Sequence, residues 1–397
     1  MQGIVFVLLF TALTFLSWGA YGPLLRHGTD AMGHDGLRAF VGVGLAYFGI
    51  AVIVPFSILK KSGEKGQWTF LGTTYSIVAG AVGALGALGI ILALVYKGSP
   101  VYVMPVVFGF APIVNTLVTS WMGKTFKQIK PIFIAGIVTA ALGAVGVLVF
   151  KPQGAPAKAV AVASSEKSAD SATADEKKDA HSEKSEEAKS ETGETEKSKE
   201  QAAPSSESVS AGHASDSKGT NAKEGTNYLM VFLSIAMAAL CWGAYGPMLH
   251  QGQMRMGGSR LRPFACVGIA YFIIAVAAPL AILATRSGTG SWTASGLSWS
   301  IIAGTAGALG ALGIILAFNA GGKPIYVMPL VFGFAPVINT FISLAEAGTL
   351  SQTSITFWIS LAVVIAGAVT VLTNAPKAHH GPAHPPAADP APAAPAN

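Results

Sequence analysis

The chain has 397 residues, of which 51% are hydrophobic, 12% are charged and 46 are glycine. Residues 151–226 hold 11 of the 26 basic and 15 of the 20 acidic side chains. The remainder is too apolar for the surface of a soluble globular protein, which excludes that class. Outside 151–226 the balance is 15 basic to 5 acidic residues. Because the basic residues lie in short loops, this excess indicates membrane orientation and not nucleic-acid binding.

The two ends of the chain repeat one another at an offset of 224 residues. The segment SIVAGAVGALGALGIILAL at 76–94 recurs as SIIAGTAGALGALGIILAF at 300–318. Likewise, PVYVMPVVFGFAPIVNT at 100–116 recurs as PIYVMPLVFGFAPVINT at 324–340. The chain is therefore a tandem duplication.

Each repeat contains five apolar stretches near the length of about 20 residues that a helix needs to cross a bilayer. They lie near 3–25, 38–59, 71–96, 100–121 and 131–150, and near 228–249, 263–284, 295–319, 324–345 and 355–373. The first stretch lacks the basic start of a signal sequence and matches 228–249 by register, so we expect it to remain a helix. The sequence predicts an all-α integral membrane protein with ten transmembrane helices.

An odd number of helices in each repeat inverts the second repeat relative to the first. Loop charges agree with this inversion, because 11 Lys and Arg fall on the side of the N terminus and six on the other. We therefore predict two inverted five-helix repeats in the inner (plasma) membrane, with both termini in the cytoplasm and the linker outside. The predicted domains are the first repeat at 1–150, a linker at 151–226, the second repeat at 227–374 and a tail at 375–397.

The linker and the tail have compositions typical of disordered chain. The linker is mostly Ala, Ser, Lys and Glu, with hardly an aliphatic or aromatic residue after Val162. It cannot bury enough apolar surface to offset the loss of chain entropy. The Pro/Ala-rich tail contains His379, His380 and His384, for which we favour disorder over a weak metal site.

Residues needed for several kinds of chemistry are missing from the predicted helices. None of the five acids outside the linker lies deep in a helix, which argues against a carboxylate proton relay or a cation site. The sequence also lacks a phosphate-binding Gly-Lys-Ser/Thr loop, an H-E-x-x-H helix and a nucleophile elbow. We therefore expect no enzymatic activity, no cofactor and no metal.

The hexapeptide WGAYGP recurs unchanged at the predicted ends of helix 1 (18–23) and helix 6 (242–247). Its proline predicts a helix stop, and its Trp and Tyr lie three residues apart on one helical face. Two interpretations remain open, an interfacial aromatic belt, or a gate or stacking surface for a solute. Since all six residues recur, we favour the second. The candidate solute-binding residues from this motif are Trp18, Tyr21, Trp242 and Tyr245.

Helices 4 and 9 each carry two prolines seven residues apart, which remove backbone hydrogen bonds on one helical face. Freed carbonyls inside a bilayer need partners or a water-lined cavity, so matching breaks in inverted repeats point to a central transport site. The predicted helix breaks are at Pro105, Pro112, Pro329 and Pro336. Asn115 and Asn339 follow near the bilayer midplane, where they either bind solute or cap the carbonyls that their own prolines release.

Other recurring residues fit either helix packing or a solute pathway. A glycine at every third position over 80–89 and 304–313 favours close helix contact over cavity lining. The recurring pairs are Tyr102 with Tyr326, Tyr47 with Tyr271, and Met104 with Met328. Tyr102 and Tyr326 complete the set of candidate binding residues.

These features resemble the drug/metabolite transporter superfamily with its EamA-type repeats. The resemblance rests on ten helices in two halves, Trp-Gly near the end of helix 1, a glycine-rich helix 3, a proline-broken helix 4 and a fifth helix written IAGIVTAALGAVGVLV. The run GSPVYVMP is most similar to the sugar-uptake branch. The resemblance implies that helices 1, 3, 4, 6, 8 and 9 line a central cavity used by alternating access.

Two departures narrow this resemblance. The sequence lacks the membrane glutamate that the small multidrug branch has in its first helix, which argues against export of organic cations. Typical exporters often have a glutamate after the glycine that ends helix 4, whereas this chain has Lys124 after Gly123. Close kinship with those exporters is therefore not expected.

We predict a secondary transporter for a small polar, neutral solute such as a sugar or metabolite. Its expected partners are that solute and the lipid bilayer, and not nucleic acid. The alternative is a membrane scaffold or anchor whose external linker binds cell-wall or protein partners, and an enzyme acting on lipid is a third interpretation. Matching helix breaks and paired asparagines favour the transporter, because an anchor has no need of them.

Overall fold

The computed structural model describes residues 2–62, 66–152, 226–285 and 290–376, except the side chains of 2, 62 and 324–326. Most of the predicted linker and tail lies outside these ranges. Within them the chain has ten helices long and apolar enough to cross a membrane, and no β-strand. The chain is therefore an all-α membrane protein, which confirms the predicted fold class.

Five helices come from each repeat. The first repeat has α1 (Gln2–Ala31), α2 (Gly36–Phe48, continued as Gly49–Ile53 and Val54–Ser62), α3 (Phe70–Val95), α4 (Pro100–Met122) and α5 (Pro131–Val149). The second has α6 (Tyr228–Arg255), α7 (Leu261–Tyr271, continued as Phe272–Ala277 and Ala278–Thr285), α8 (Ala294–Asn319), α9 (Pro324–Glu346) and α10 (Ile355–Thr373). The predicted bounds agree to within about three residues, except at the C-terminal ends of α1 and α6.

Pro23 and Pro247 do not end α1 and α6, so the predicted helix stop after WGAYGP is wrong. Both helices continue well beyond these prolines. A proline removes one backbone hydrogen bond, but tertiary packing on its far side can hold the helix together. In α1 that packing is close, because Gly28 lies directly against Ser300 of α8.

α4 and α9 are also continuous through the positions at which the sequence predicts breaks. Each helix contains its two prolines as interior residues, namely Pro105 and Pro112, and Pro329 and Pro336. Residues 100–109 of α4 are all buried, so neighbouring helices hold this segment in helical form despite the missing donors. The structure thus differs from the sequence-based expectation: the prolines remove hydrogen bonds without breaking the helix.

α2 and α7 each contain a π-helical segment, which apolar periodicity does not predict. The segments are Gly49–Ile53 and Phe272–Ala277. Pro55 and Pro279, which follow them, have no N–H to donate to the carbonyl four residues earlier, so the hydrogen-bond ladder shifts. The shift occurs at the same place in both repeats.

The two repeats interleave. α1 packs chiefly against α8 and α9, and α6 packs in the same way against α3 and α4. α2 and α7 contact each other, and α5 packs on α10. Since each contact recurs with the repeats exchanged, a pseudo-twofold axis relates them.

Equivalent residues that touch one another lie at this axis. Tyr47 of α2 and Tyr271 of α7 stack with ring centroids 3.8 Å apart and an interplanar angle of 6°. Phe108 of α4 and Phe332 of α9 meet edge to face at 5.8 Å. The axis therefore passes between α2 and α7 and between α4 and α9.

Two equivalent threonines join helix ends of different repeats. Thr69 caps α3 by accepting a hydrogen bond from the Gly72 amide at 3.1 Å, and donates its hydroxyl to the Arg255 carbonyl at 2.9 Å. Thr293 caps α8 in the same way and donates to the Ala31 carbonyl at 2.9 Å. One hydroxyl thus satisfies the start of one helix and the end of another.

Candidate functional site

A cavity of about 520 Å³ lies at the pseudo-twofold axis. The paired rings of Tyr47 with Tyr271 and of Phe108 with Phe332 form part of its wall. Every helix except α5 and α10 contributes to the lining. The volume is within the range of about 300–1,000 Å³ that small-molecule sites occupy.

The cavity reaches the end of the bundle at which α4, α6 and α8 finish. Met122, Met254 and Phe318 line it there, and Met254 is 55% exposed. At the other end, where α1, α3 and α9 finish, the counterpart of the lining residue Leu249 is Leu25, which is 0% exposed. Leu94, the counterpart of Phe318, is 4% exposed. We call these the open end and the closed end.

The tryptophans of the repeated motif are fixed in the cavity wall. The indole N–H of Trp18 donates to the Gly307 carbonyl at 3.1 Å, and that of Trp242 donates to the Gly83 carbonyl at 3.2 Å. The Trp18 ring lies over Gly310, where an added Cβ would collide with it. Because their N–H groups are already bonded, these residues offer a ligand their ring faces and not a donor.

The glycine ladder serves both of the purposes considered for it. A Cβ at Gly80 would lie 2.7 Å from the backbone of Val267, so this glycine permits close approach of α3 and α7. Gly83 and Gly307, by contrast, line the cavity. The small residues therefore set both the helix spacing and the room for a ligand.

Tyr21 and Tyr245 both line the cavity but differ in exposure. Tyr21 is 3% exposed, its ring lies 6.1 Å from that of Trp242, and its hydroxyl is buried without a hydrogen-bond partner. Tyr245 is half-buried and lies beside Gly83. The more accessible tyrosine belongs to α6, one of the helices that flank the open end.

The two candidate asparagines occupy different environments. Asn115 is half-buried in the cavity wall, next to Gly246. Asn339 is 0% exposed, lies next to Gly22 outside the lining, and donates its amide to the Pro100 carbonyl at 2.7 Å. The acceptor belongs to α4, so Asn339 does not cap a carbonyl of its own helix.

A contact between a histidine and a glutamate, and an aromatic contact, lie at the closed end. Nε2 of His27 on α1 is 3.3 Å from Oε1 of Glu346 on α9, and the His27 ring is 5.0 Å from that of Trp299 on α8. Their equivalents at the open end are Gln251, Met122 and Tyr75. Since these side chains cannot form an ion pair, the two ends differ in chemistry as well as in packing.

The described part of the cavity wall contains no Asp, Glu, Lys or Arg. Its polar side chains are Tyr21, Tyr47, Asn115, Thr119, Tyr245, His250, Gln251, Gln253 and Tyr271. A wall without a formal counter-charge cannot offset the desolvation of a charged ligand. The described wall therefore presents aromatic faces and neutral polar groups to the cavity.

Of the remaining candidates, Tyr102 does not join this site. It is 4% exposed and absent from the lining, and the Lys151 ammonium lies 4.5 Å from its ring centroid. Tyr102 thus packs with the residue that begins the linker. The side chain of Tyr326 lies outside the described part of the chain.

Some lining residues are not among the sequence-based candidates. Phe108 and Phe332 recur in the repeated segment, so recurrence was a signal that could have selected them. Gln251 and Gln253 have no such signal, because they lie on the part of α6 beyond Pro247, which the sequence predicts to be a loop. Because the sequence does not predict this part of α6, it does not predict the lining residues that α6 contributes at the open end.

Fold and cavity together define a class of protein, an α-helical multi-pass membrane protein with an internal, one-ended cavity. No model of a known protein family matches the chain, and no curated protein matches it. Function is therefore inferred from the geometry of the cavity.

Proposed function

We propose that this chain is a secondary transporter that moves a small, neutral, polar solute across a membrane by alternating access. The observation that carries the proposal is the one-ended cavity at the pseudo-twofold axis. Because the two repeats are equivalent, exchanging their conformations would close the open end and open the closed one at similar energy. Two such states are what alternating access requires.

The wall of the cavity supports the solute class that we propose. The faces of Trp18, Trp242 and Tyr245 provide surfaces for the apolar side of a sugar ring. Asn115 and Thr119 add hydrogen-bond donors and acceptors for hydroxyl groups. A sugar, or a metabolite of similar size with several hydroxyls, fits this combination.

Membership of the drug/metabolite transporter superfamily is part of the proposal. It is supported by the lining, to which α1, α3, α4, α6, α8 and α9 all contribute. α2 and α7 add Tyr47 and Tyr271. We also propose that the protein lies in the inner membrane with both termini in the cytoplasm. In that orientation the open end faces the cytoplasm.

The test is a ligand screen followed by uptake. Neutral sugars, polyols and small metabolites are screened by thermal stabilisation of the purified full chain, since a ligand at a hundred times its Kd adds about 2.7 kcal/mol of stability. Compounds that bind are then measured for uptake into proteoliposomes. Ala311→Phe fills the cavity wall and should abolish binding and uptake. Ile302→Phe is the control, because Ile302 is 47% exposed on the same helix.

The proposal is rejected if no solute of these classes is bound or moved, or if the two variants behave alike. The scaffold alternative predicts a different pattern. In that case deletion of the linker, and not Ala311→Phe, would abolish the cellular function of the chain.

A further inference from the structure

Several polar side chains at the closed end are buried without hydrogen-bond partners. They are the Tyr21 hydroxyl, Oδ1 of Asn339, and the hydroxyls of Thr340 and Ser343. Asn339 and Thr340 are 0% exposed, and Ser343 is 7% exposed. A buried polar group that lacks a partner destabilises the state in which it is buried. At the closed end these four oxygen atoms are thus buried and form no hydrogen bond.

Three of the four equivalent groups at the open end line the cavity, whereas Thr116, the counterpart of Thr340, is 3% exposed. Tyr245, Asn115 and Thr119 are the counterparts of Tyr21, Asn339 and Ser343, and all three line the cavity. Asn339 and Ser343 are thus buried outside the lining to which their counterparts belong, and Tyr21 lines the cavity with its hydroxyl buried. Packing without a function would be better served by apolar residues at the buried positions.

Among the described residues, few polar contacts hold α9 to its neighbours at the closed end. Asn339 donates to the Pro100 carbonyl at 2.7 Å and so joins α9 to α4. The His27–Glu346 pair joins α1 to α9, but its side chains are 44% and 40% exposed, and exposed ion pairs contribute little. Moving α9 away from α1 and α4 would therefore break one buried hydrogen bond and expose several buried polar groups that have no partner.

We infer that Tyr21, Asn339 and Ser343 form a second solute-binding half-site, occluded in this state, which takes a neutral hydroxyl- or amide-bearing solute when the closed end opens. The inference rests on the proposed function and deepens it. In the opened state the Asn339 amide leaves the Pro100 carbonyl and becomes available to solute. By the twofold relation, Asn115 is then the buried asparagine.

The test uses cysteine accessibility, which requires no known solute. In full-length protein with Cys241→Ala and Cys266→Ala, Met122→Cys and Gln251→Cys are combined for oxidative cross-linking at the open end. Both positions line the cavity there, and their equivalents Glu346 and His27 are in contact at the closed end. The disulfide should form and hold the open end shut.

A reporter cysteine then measures the closed end in detergent, where both ends are accessible to a hydrophilic maleimide. Ser343→Cys should react at least tenfold faster after cross-linking than before. Thr119→Cys, at the equivalent position, should react at least tenfold more slowly. Phe341→Cys, on the same helix and 51% exposed, should not change.

A cross-link that forms without faster labelling of Ser343→Cys overturns the inference, and so does a cross-link that cannot form. Either result leaves the solute screen as a separate test of binding and uptake. Conversely, failure of the screen together with faster labelling would leave the half-site in place and reject the chosen solute class. The two failures are therefore distinguishable.

Discussion

At the scale of the residue, Asn115 and Asn339 have the same sequence context and different environments. Asn339 has a backbone acceptor on another helix, whereas Asn115 lies in the wall of the open cavity. A solute hydroxyl in the cavity can therefore reach the Asn115 amide directly. To reach the Asn339 amide it would have to displace the Pro100 carbonyl. This makes Asn115 the better placed of the two to bind solute in the state described.

We expect Asn115→Ala to weaken solute binding about ten- to hundredfold, since losing one partner of a buried hydrogen bond costs about 1–3 kcal/mol. The measurement is the Kd of a solute identified by the screen, with a melting curve to show that the variant is folded. Leu117→Ala is the matched control, because Leu117 is 36% exposed on the same helix. Unchanged affinity in a folded Asn115→Ala protein would place the binding groups elsewhere.

Recurrence in the sequence was enough to select Trp18, Tyr21, Trp242, Tyr245 and Asn115, all of which line the cavity. It was not enough to separate Asn115 from Asn339. Equivalent residues have the same local sequence, and their environments differ only because the molecule is open at one end and closed at the other. That difference belongs to the conformational state, which no local pattern encodes.

At the scale of the element, α3 and α8 depend on glycine to accept the tryptophans of α6 and α1. A Cβ on Gly86 would overlap the ring of Trp242, whose N–H is bonded to the Gly83 carbonyl. We expect Gly86→Ala to lower the free energy of unfolding by about 1–3 kcal/mol, the usual cost of overpacking. The measurement is denaturation in detergent, followed by thermal melting or by intrinsic fluorescence.

Gly49→Ala provides the control for this prediction. A Cβ at Gly49 would meet no heavy atom within 4 Å, so the variant should show only the gain in helix propensity of Ala over Gly, about 1 kcal/mol. Equal effects of Gly86→Ala and Gly49→Ala would mean that the contact with Trp242 does not restrict the helix.

The helices themselves were largely predictable, because an apolar run of about 20 residues has few alternatives in a bilayer. The predicted helix end at Pro23 and the predicted helix break at Pro105 are wrong for the same physical reason. Pro23 and Pro105 remove donors, which in water would favour a helix end, but packing against neighbouring helices keeps α1 and α4 continuous. The local sequence shows which backbone hydrogen bond is lost, but it does not show the tertiary contacts that offset the loss.

At the scale of the whole molecule, the loop charges predict that both termini are cytoplasmic. A membrane-impermeant thiol reagent added to intact cells should then label a cysteine at Ser205 and leave one at Ser62 unlabelled, after Cys241→Ala and Cys266→Ala. Permeabilised cells, in which both positions should react, provide the control. Labelling of Ser62→Cys and not of Ser205→Cys in intact cells would reverse the orientation and place the open end outside.

The last prediction concerns the linker, whose two ends lie close together. Lys151 is the residue at which it begins, and its Nζ is 4.7 Å from the ring centroid of Tyr228 and 3.5 Å from the Tyr228 hydroxyl. Deleting residues 157–216, about 60 residues, leaves about 13 residues between 152 and 226, and a chain of that length can span far more than this separation. A shorter loop also costs less closure entropy, by about 0.6 kcal/mol for each halving of its length.

We therefore expect the deletion variant to fold with equal or slightly higher melting temperature and to keep its uptake rate. Lys151→Ala in the full-length chain is the control variant. It removes the contact between the end of the linker and Tyr228 but keeps the linker itself. Loss of uptake by the deletion at normal expression, with Lys151→Ala still active, would assign the linker a direct part in function. Such a result would favour a scaffold over a transporter, because the described lining of the cavity lies on the helices and at the end of α4.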